Sequence, residues 1–152
     1  MAKPLSPVML DESFHHDIEA VALLRTAVIT QMSSFLKCKE IDRSVFASDD
    51  RLHIKGDETL GRYDFEYAGT HIRFTVIAGL IGNEATAKVR CTHECEILGK
   101  SISHSLGEFD VSTNGRTNFY ELSGKAYFTA EAADLIVASF IAKAMEHNLS
   151  IS

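Results

Sequence analysis

From Phe14 to Lys37 the apolar positions Ile18, Val21, Leu24, Val28, Met32 and Phe35 recur at steps of three and four, which is the stripe of a long amphipathic helix. Ser13 is the expected N-cap, Asp17 and Glu19 sit where a helix dipole favours acids, and Lys37 and Lys39 lie near the other end. The stretch from Glu40 to Thr59 is polar and mixed, with one short strand expected around Leu52 to Lys55. A hairpin follows over Arg62 to Ala78. A two-residue Ala68-Gly69 turn puts Tyr67 opposite Thr70, Phe65 opposite Ile72 and Tyr63 opposite Phe74. The same register sets Asp64 against Arg73 and Glu66 against His71, so one face is apolar and the other carries paired charges.

Gly79 to Asn83 reads as a connection, after which Ala85, Ala87, Val89, Cys91, Cys95 and Ile97 alternate with polar residues along a long strand. Beyond Gly99 the inward phase falls on Ile102 and Leu106, then shifts to Phe109 and Val111, which predicts a bulge near Gly107. Asn114-Gly115 is a hairpin dipeptide, and it leads into an expected strand from Arg116 to about Phe128, with Tyr120, Leu122, Ala126 and Phe128 inward. The last element is a second amphipathic helix. It is capped by Thr129, carries Ala133, Ile136, Val137, Phe140, Ile141 and Ala144 on one stripe, and is expected to stop at Asn148. The pattern predicts one domain over residues 1–152 of the α+β class: an antiparallel meander of five or six strands with an N-terminal and a C-terminal helix packed on one face.

Composition narrows the class of function. The 152 residues are 45% hydrophobic and 24% charged, and the net charge is −6 with histidine neutral. An acidic chain lacks the basic footprint that nucleic acid or an anionic membrane requires, so neither is expected as a partner. The apolar runs Val76 to Gly82 and Leu135 to Ala142 are far shorter than the roughly 20 residues of a membrane span. Three cysteines cannot all pair within one chain and residues 1–11 carry no apolar leader, so the cytoplasm is the expected location.

The residues with chemical potential are Cys91, His93 and Cys95, with His104 on the adjoining strand. Strand positions two apart are separated by about 6.6 Å and positions four apart by about 13 Å, so Cys91, His93 and Cys95 do not all close on one ion. Neither a metal nor a cofactor is therefore expected. Gly99-Lys100-Ser101 lacks the upstream glycine of a phosphate loop, and Ser103 stands where a nucleophile elbow needs glycine. No catalytic residue is expected; a small hydrolase or transferase using His93 or His104 is the enzymatic alternative, and a ligand cavity between sheet and helices is a third. The expected outward phase of the last strand exposes Phe119 and Tyr127, which with Ile77 form a candidate protein interface.

Ile72-Arg73-Phe74-Thr75-Val76, running through a Gly-Asn-Glu loop into Ala85-Thr86-Ala87-Lys88-Val89-Arg90-Cys91, resembles the central strands of SecB-type chaperones. The helix from Ala132 to His147 and the trailing Leu149-Ser150-Ile151 are similar to that family's late helix and tail. The chain departs from it by opening with a long helix, by inserting the Asn114-Gly115 hairpin and by ending without an acidic tail. The resemblance implies a non-enzymatic holdase that assembles as a tetramer and binds unfolded chains on apolar surface; it carries over no individual binding residue. The expectation is a non-catalytic protein-binding domain, chaperone or adaptor, with another protein or an unfolded polypeptide as partner and a homo-oligomer as its assembly.

Overall fold

The computed structural model describes residues 7–118 and 127–151, with side chains described for 14–118 and 128–150. Its elements run α1 (Pro7–Gln31), α2 (Ser33–Leu36), β1 (Leu52–Asp57), β2 (Arg62–Tyr67), β3 (Thr70–Ile81), β4 (Glu84–Ile97), β5 (Lys100–Phe109), β6 (Arg116–Thr117), β7 (Tyr127–Phe128) and α3 (Thr129–Ile151). Strands β1 to β5 form one antiparallel meander in chain order, and β6 pairs with β7 in a separate two-stranded sheet. The α+β architecture expected from the pattern is the one observed, with five strands in the main sheet.

The β2–β3 hairpin has the register that its turn and charges dictate, from Tyr67 opposite Thr70 to Tyr63 opposite Phe74. Ala68 and Gly69 both take positive φ, 49° and 83°, as a tight hairpin turn with right-handed strand twist demands. On the outer face Arg73 Nε donates to Asp64 at 2.9 Å across the pair. His71 also reaches Asp64, diagonally at 2.7 Å, in place of the expected Glu66. The phase shift in β5 is a bulge. Cys91 faces Gly107 whereas Thr92 faces Ser105, which leaves Leu106 as the extra residue, and Gly107 absorbs the distortion at φ 140°.

The inner face carries Leu52, Tyr63, Phe65, Ile72, Phe74, Val76, Val89, Cys91 and Phe109, all buried. The helices cover it with Val28 of α1, Met32 at the turn between α1 and α2, Phe35 of α2, and Ile136, Val137, Phe140, Ile141 and Ala144 of α3. Each large apolar side chain so buried stabilises the fold by roughly 1.5–3 kcal/mol. Phe74 is the centre of this packing. Its ring lies 5.2–5.6 Å from those of Phe35, Phe65, Phe109 and Phe140, so four elements converge on one side chain of β3. The space between sheet and helices, considered above as a ligand cavity, holds this aromatic cluster.

Several boundaries differ from expectation for identifiable reasons. Helix α1 begins at Pro7, a residue well suited to a first turn, so Ser13 lies inside the helix instead of capping it. The helix stops at Gln31, where the Met32 N–H is shared between the carbonyls of Val28 and Ile29 and the chain turns into α2. Residues Gly79 to Ile81 belong to β3, and β1 extends to Asp57. Of the strand expected from Arg116 to Phe128, the described ends form β6 and β7, which pair with each other, and residues 119–126 lie outside the described residues. Thr117 bridges back to Val111, and the Thr129 N–H donates to Gly115 O at 2.8 Å, so the start of α3 is tied to the Asn114-Gly115 turn. Phe128 is consequently exposed, not inward. Tyr120, Leu122 and Ala126 lie outside the described residues. Helix α3 passes through Asn148 to Ile151, and the Asn148 amide donates to the Thr70 hydroxyl at 3.2 Å instead of ending the helix. Among the described residues no helix is long and apolar enough to cross a membrane.

A buried acid organises the irregular segment between α2 and β1. Asp134 of α3 accepts the Val45 N–H at 3.0 Å, while the Ser44 hydroxyl donates to Cys38 O at 2.6 Å. Asp134 is 3% exposed, and its field adds to burial in pushing the neighbouring Cys38 thiol up to about 11.

Candidate functional site

Strands β3 and β4 outrun their neighbours. The β2 ladder ends at Arg62 opposite Thr75, and the β5 ladder ends at Phe109 opposite Val89, yet β3 and β4 remain paired to Ile81 and Glu84. The excess is a two-stranded ribbon, residues 77–88, flanked among the described residues by no further strand. The Val76 N–H donates to Gly61 O at 2.8 Å, the last tie on the β2 side. Ladder alternation then directs the N–H and C=O groups of Ala78 and Leu80 out of that same edge.

Helix α1 runs beside the ribbon and leaves a groove of about 470 Å³ between itself and the end of β3. Ile18, Val21, Ala22, Gly79 and Leu80 line it, with Asp17 and Arg25 supplying charge. Arg25 is already engaged, since its guanidinium donates to Thr59 O at 3.1 Å. A Cβ placed on Gly79 would meet nothing within 4 Å, so the outer face of the ribbon is open there. Ile18 and Leu80, which line the groove, are exposed, as are Ile77 and Ile81 of the ribbon and Phe14 and Leu23 of α1. The N-terminal half of the predicted helical stripe therefore does not enter the core as Val28, Met32 and Phe35 do.

Of the three residues expected to form a protein interface, Ile77 sits on the outer face of this ribbon and is 38% exposed. Tyr127 has its backbone in β7 of the separate sheet, and Phe119 lies outside the described residues. The ribbon edge escapes sequence reasoning because Gly79-Leu80-Ile81-Gly82-Asn83 reads whole as a connection. The available signal was that Leu80 and Ile81 prolong an apolar strand and only Gly82-Asn83 has turn character.

A second constellation gathers at the opposite end of β4. His93, 2% exposed, stands opposite His104 of β5, and His147 reaches both from the last turns of α3. His93 Nδ1 and His147 Nδ1 are 2.6 Å apart, so one ring donates its Nδ1–H to the other's lone pair. The His104 ring stacks on His147 with centroids 3.8 Å apart and planes 6° from parallel. Burial, followed by His147 and His104, holds His93 below the ordinary histidine range; burial and His104 do the same for His147. Cys95, half-buried, donates its thiol to Ile102 O at 3.6 Å. The donor atoms of His93, Cys95 and His147 all lie within 4.8 Å of one another. Cys91, by contrast, is fully buried in the core and its thiol is pushed far up by desolvation. His147 is the member that sequence reasoning misses, although it continues the inward stripe of Phe140 and Ala144.

Comparison of the chain with protein-family models, with curated proteins and with solved structures finds no match in any of the three.

Proposed function

We propose that the protein is a non-catalytic protein-binding domain of the chaperone or adaptor kind, which takes an extended segment of a non-native polypeptide along the Ala78–Leu80 edge. The observation that carries this reading is the conjunction of an open strand edge with an apolar groove. Backbone groups at Ala78 and Leu80 supply a ladder, and the groove between α1 and β3 receives alternate side chains of the added strand. Main-chain pairing gives affinity with little dependence on sequence, and the groove selects apolar residues, which is the chemistry a holdase needs. The SecB-type resemblance points the same way. Three free thiols fit a reducing cytoplasm as the place of work.

The test is fluorescence anisotropy with a labelled polypeptide kept unfolded by reduction and carboxymethylation. Ala78→Pro removes the outward N–H without touching the β3–β4 ladder, and Ile18→Asp puts a charge in the groove. Saturable binding by the wild-type protein, weakened at least about tenfold (about 1.4 kcal/mol) by each substitution, supports the reading. Absence of saturable binding, binding indifferent to both substitutions, or a stable dimer that itself occupies the Ala78–Leu80 edge would overturn it.

A further inference from the structure

We propose that His93, Cys95 and His147 form a zinc site with its fourth position open to solvent. Two imidazoles and a thiolate are the donor set that Zn²⁺ takes, and three protein ligands leave room for a water or another donor. The fold supplies the convergence that strand spacing alone denied. His93 and Cys95, two apart on β4, share the inward face, and α3 delivers His147 from 54 residues away in place of Cys91.

Ligand atoms bound to one tetrahedral zinc at about 2.0–2.1 Å for nitrogen and 2.3 Å for sulfur stand about 3.3–3.6 Å from one another. The three donors are already within 4.8 Å, and the 2.6 Å separation of the two Nδ1 atoms needs to open by only about 0.7 Å. Small side-chain rotations of Cys95 and His147, both half-buried, accomplish this, and they leave the ion a path from solvent. On binding, the proton shared between the two Nδ1 atoms moves to an Nε2 or to solvent, and the Cys95 thiol proton leaves to solvent. His104 is not in the ligand set. Its ring lies parallel to His147, so its in-plane lone pairs run alongside those of His147 without meeting them at one point.

The test uses the full chain with His15 and His16 replaced by glutamine, to remove the exposed histidine pair of α1, and titrates it with Co²⁺ as a spectroscopic substitute for zinc. The expected result is one equivalent per chain, with visible bands of a four-coordinate ion and near-ultraviolet sulfur-to-cobalt charge transfer, all abolished by stoichiometric Zn²⁺. Cys95→Ser should remove the charge-transfer band. His147→Gln should weaken binding by more than the roughly 10–100-fold typical of losing an outer-shell partner. Both residues are half-buried, so these variants keep the test open if His93 substitutions fail to fold. Substoichiometric or unsaturable uptake, the weak bands of a six-coordinate ion, or a spectrum unchanged by Cys95→Ser would overturn the proposal.

Discussion

Replacing Phe74 with alanine removes the one ring that β2, α2, β5 and α3 all pack against. Buried Phe→Ala substitutions cost about 3–5 kcal/mol, with the outcome set by how far the surroundings collapse into the void. Here collapse is opposed from four directions. Phe35, Phe65, Phe109 and Phe140 belong to different elements, and Phe65 and Phe109 are fixed by their own ladders. The favourable edge-on geometry with Phe35, at 5.3 Å and 90°, is also lost. The expected loss is therefore at the upper end, about 5 kcal/mol, comparable with the whole reserve of a marginal domain. In urea unfolding monitored by circular dichroism, a slope of about 2 kcal/mol/M turns that loss into a midpoint about 2.5 M lower with the slope unchanged. Phe74→Leu should recover more than half of it. A loss below about 2 kcal/mol for Phe74→Ala would refute the claim that this ring organises the core.

Other consequences follow from single sites. Gly107→Ala forces a side chain onto φ 140° with the Phe140 ring 3.5 Å from the new methyl, and should cost about 1–3 kcal/mol in the same unfolding assay. Iodoacetamide at neutral pH, followed by peptide mass spectrometry, should modify Cys95 well before Cys38, whose thiol burial pushes up to about 11, or Cys91, which is buried more deeply. The Arg51 guanidinium and the Tyr67 hydroxyl hold the Asp49 carboxyl well below its ordinary range. A depressed acid stabilises the fold above its unfolded value of about 3.9 and loses that contribution as pH falls. The stability gap between wild type and Asp49→Asn should therefore be present at pH 6 and shrink below about pH 4, as read from urea midpoints across that range.

The parts of this fold that were legible in the sequence are those fixed by short-range rules. The Ala68-Gly69 turn set the β2–β3 register, the phase change around Leu106 and Gly107 located the bulge, and the stripe from Ala133 to Ala144 gave the inner face of α3. What was illegible depends on where elements end and what they meet. Ile18 and Val28 occupy the same stripe, but only Val28 reaches the core, because Ile18 faces the two-stranded end of β3 and β4 across an open groove. The single strand expected after Gly115 is not observed because Arg116–Thr117 and Tyr127–Phe128 pair with each other, a contact between the two ends of the segment that no short-range rule signals. Cys95 was visible as an inward strand residue and His147 as an inward helix residue, yet nothing local brings two elements 52 residues apart to one point.

The most direct test of the account is amide hydrogen exchange at Ala78 and Leu80, measured by peptide mass spectrometry with and without a saturating unfolded polypeptide. The account predicts rapid exchange of both amides in the free protein, since no strand pairs with that edge among the described residues, and strong protection once the polypeptide is bound. Protection that appeared instead along the outer edges of β1 or β5, with Ala78 and Leu80 unchanged, would contradict it.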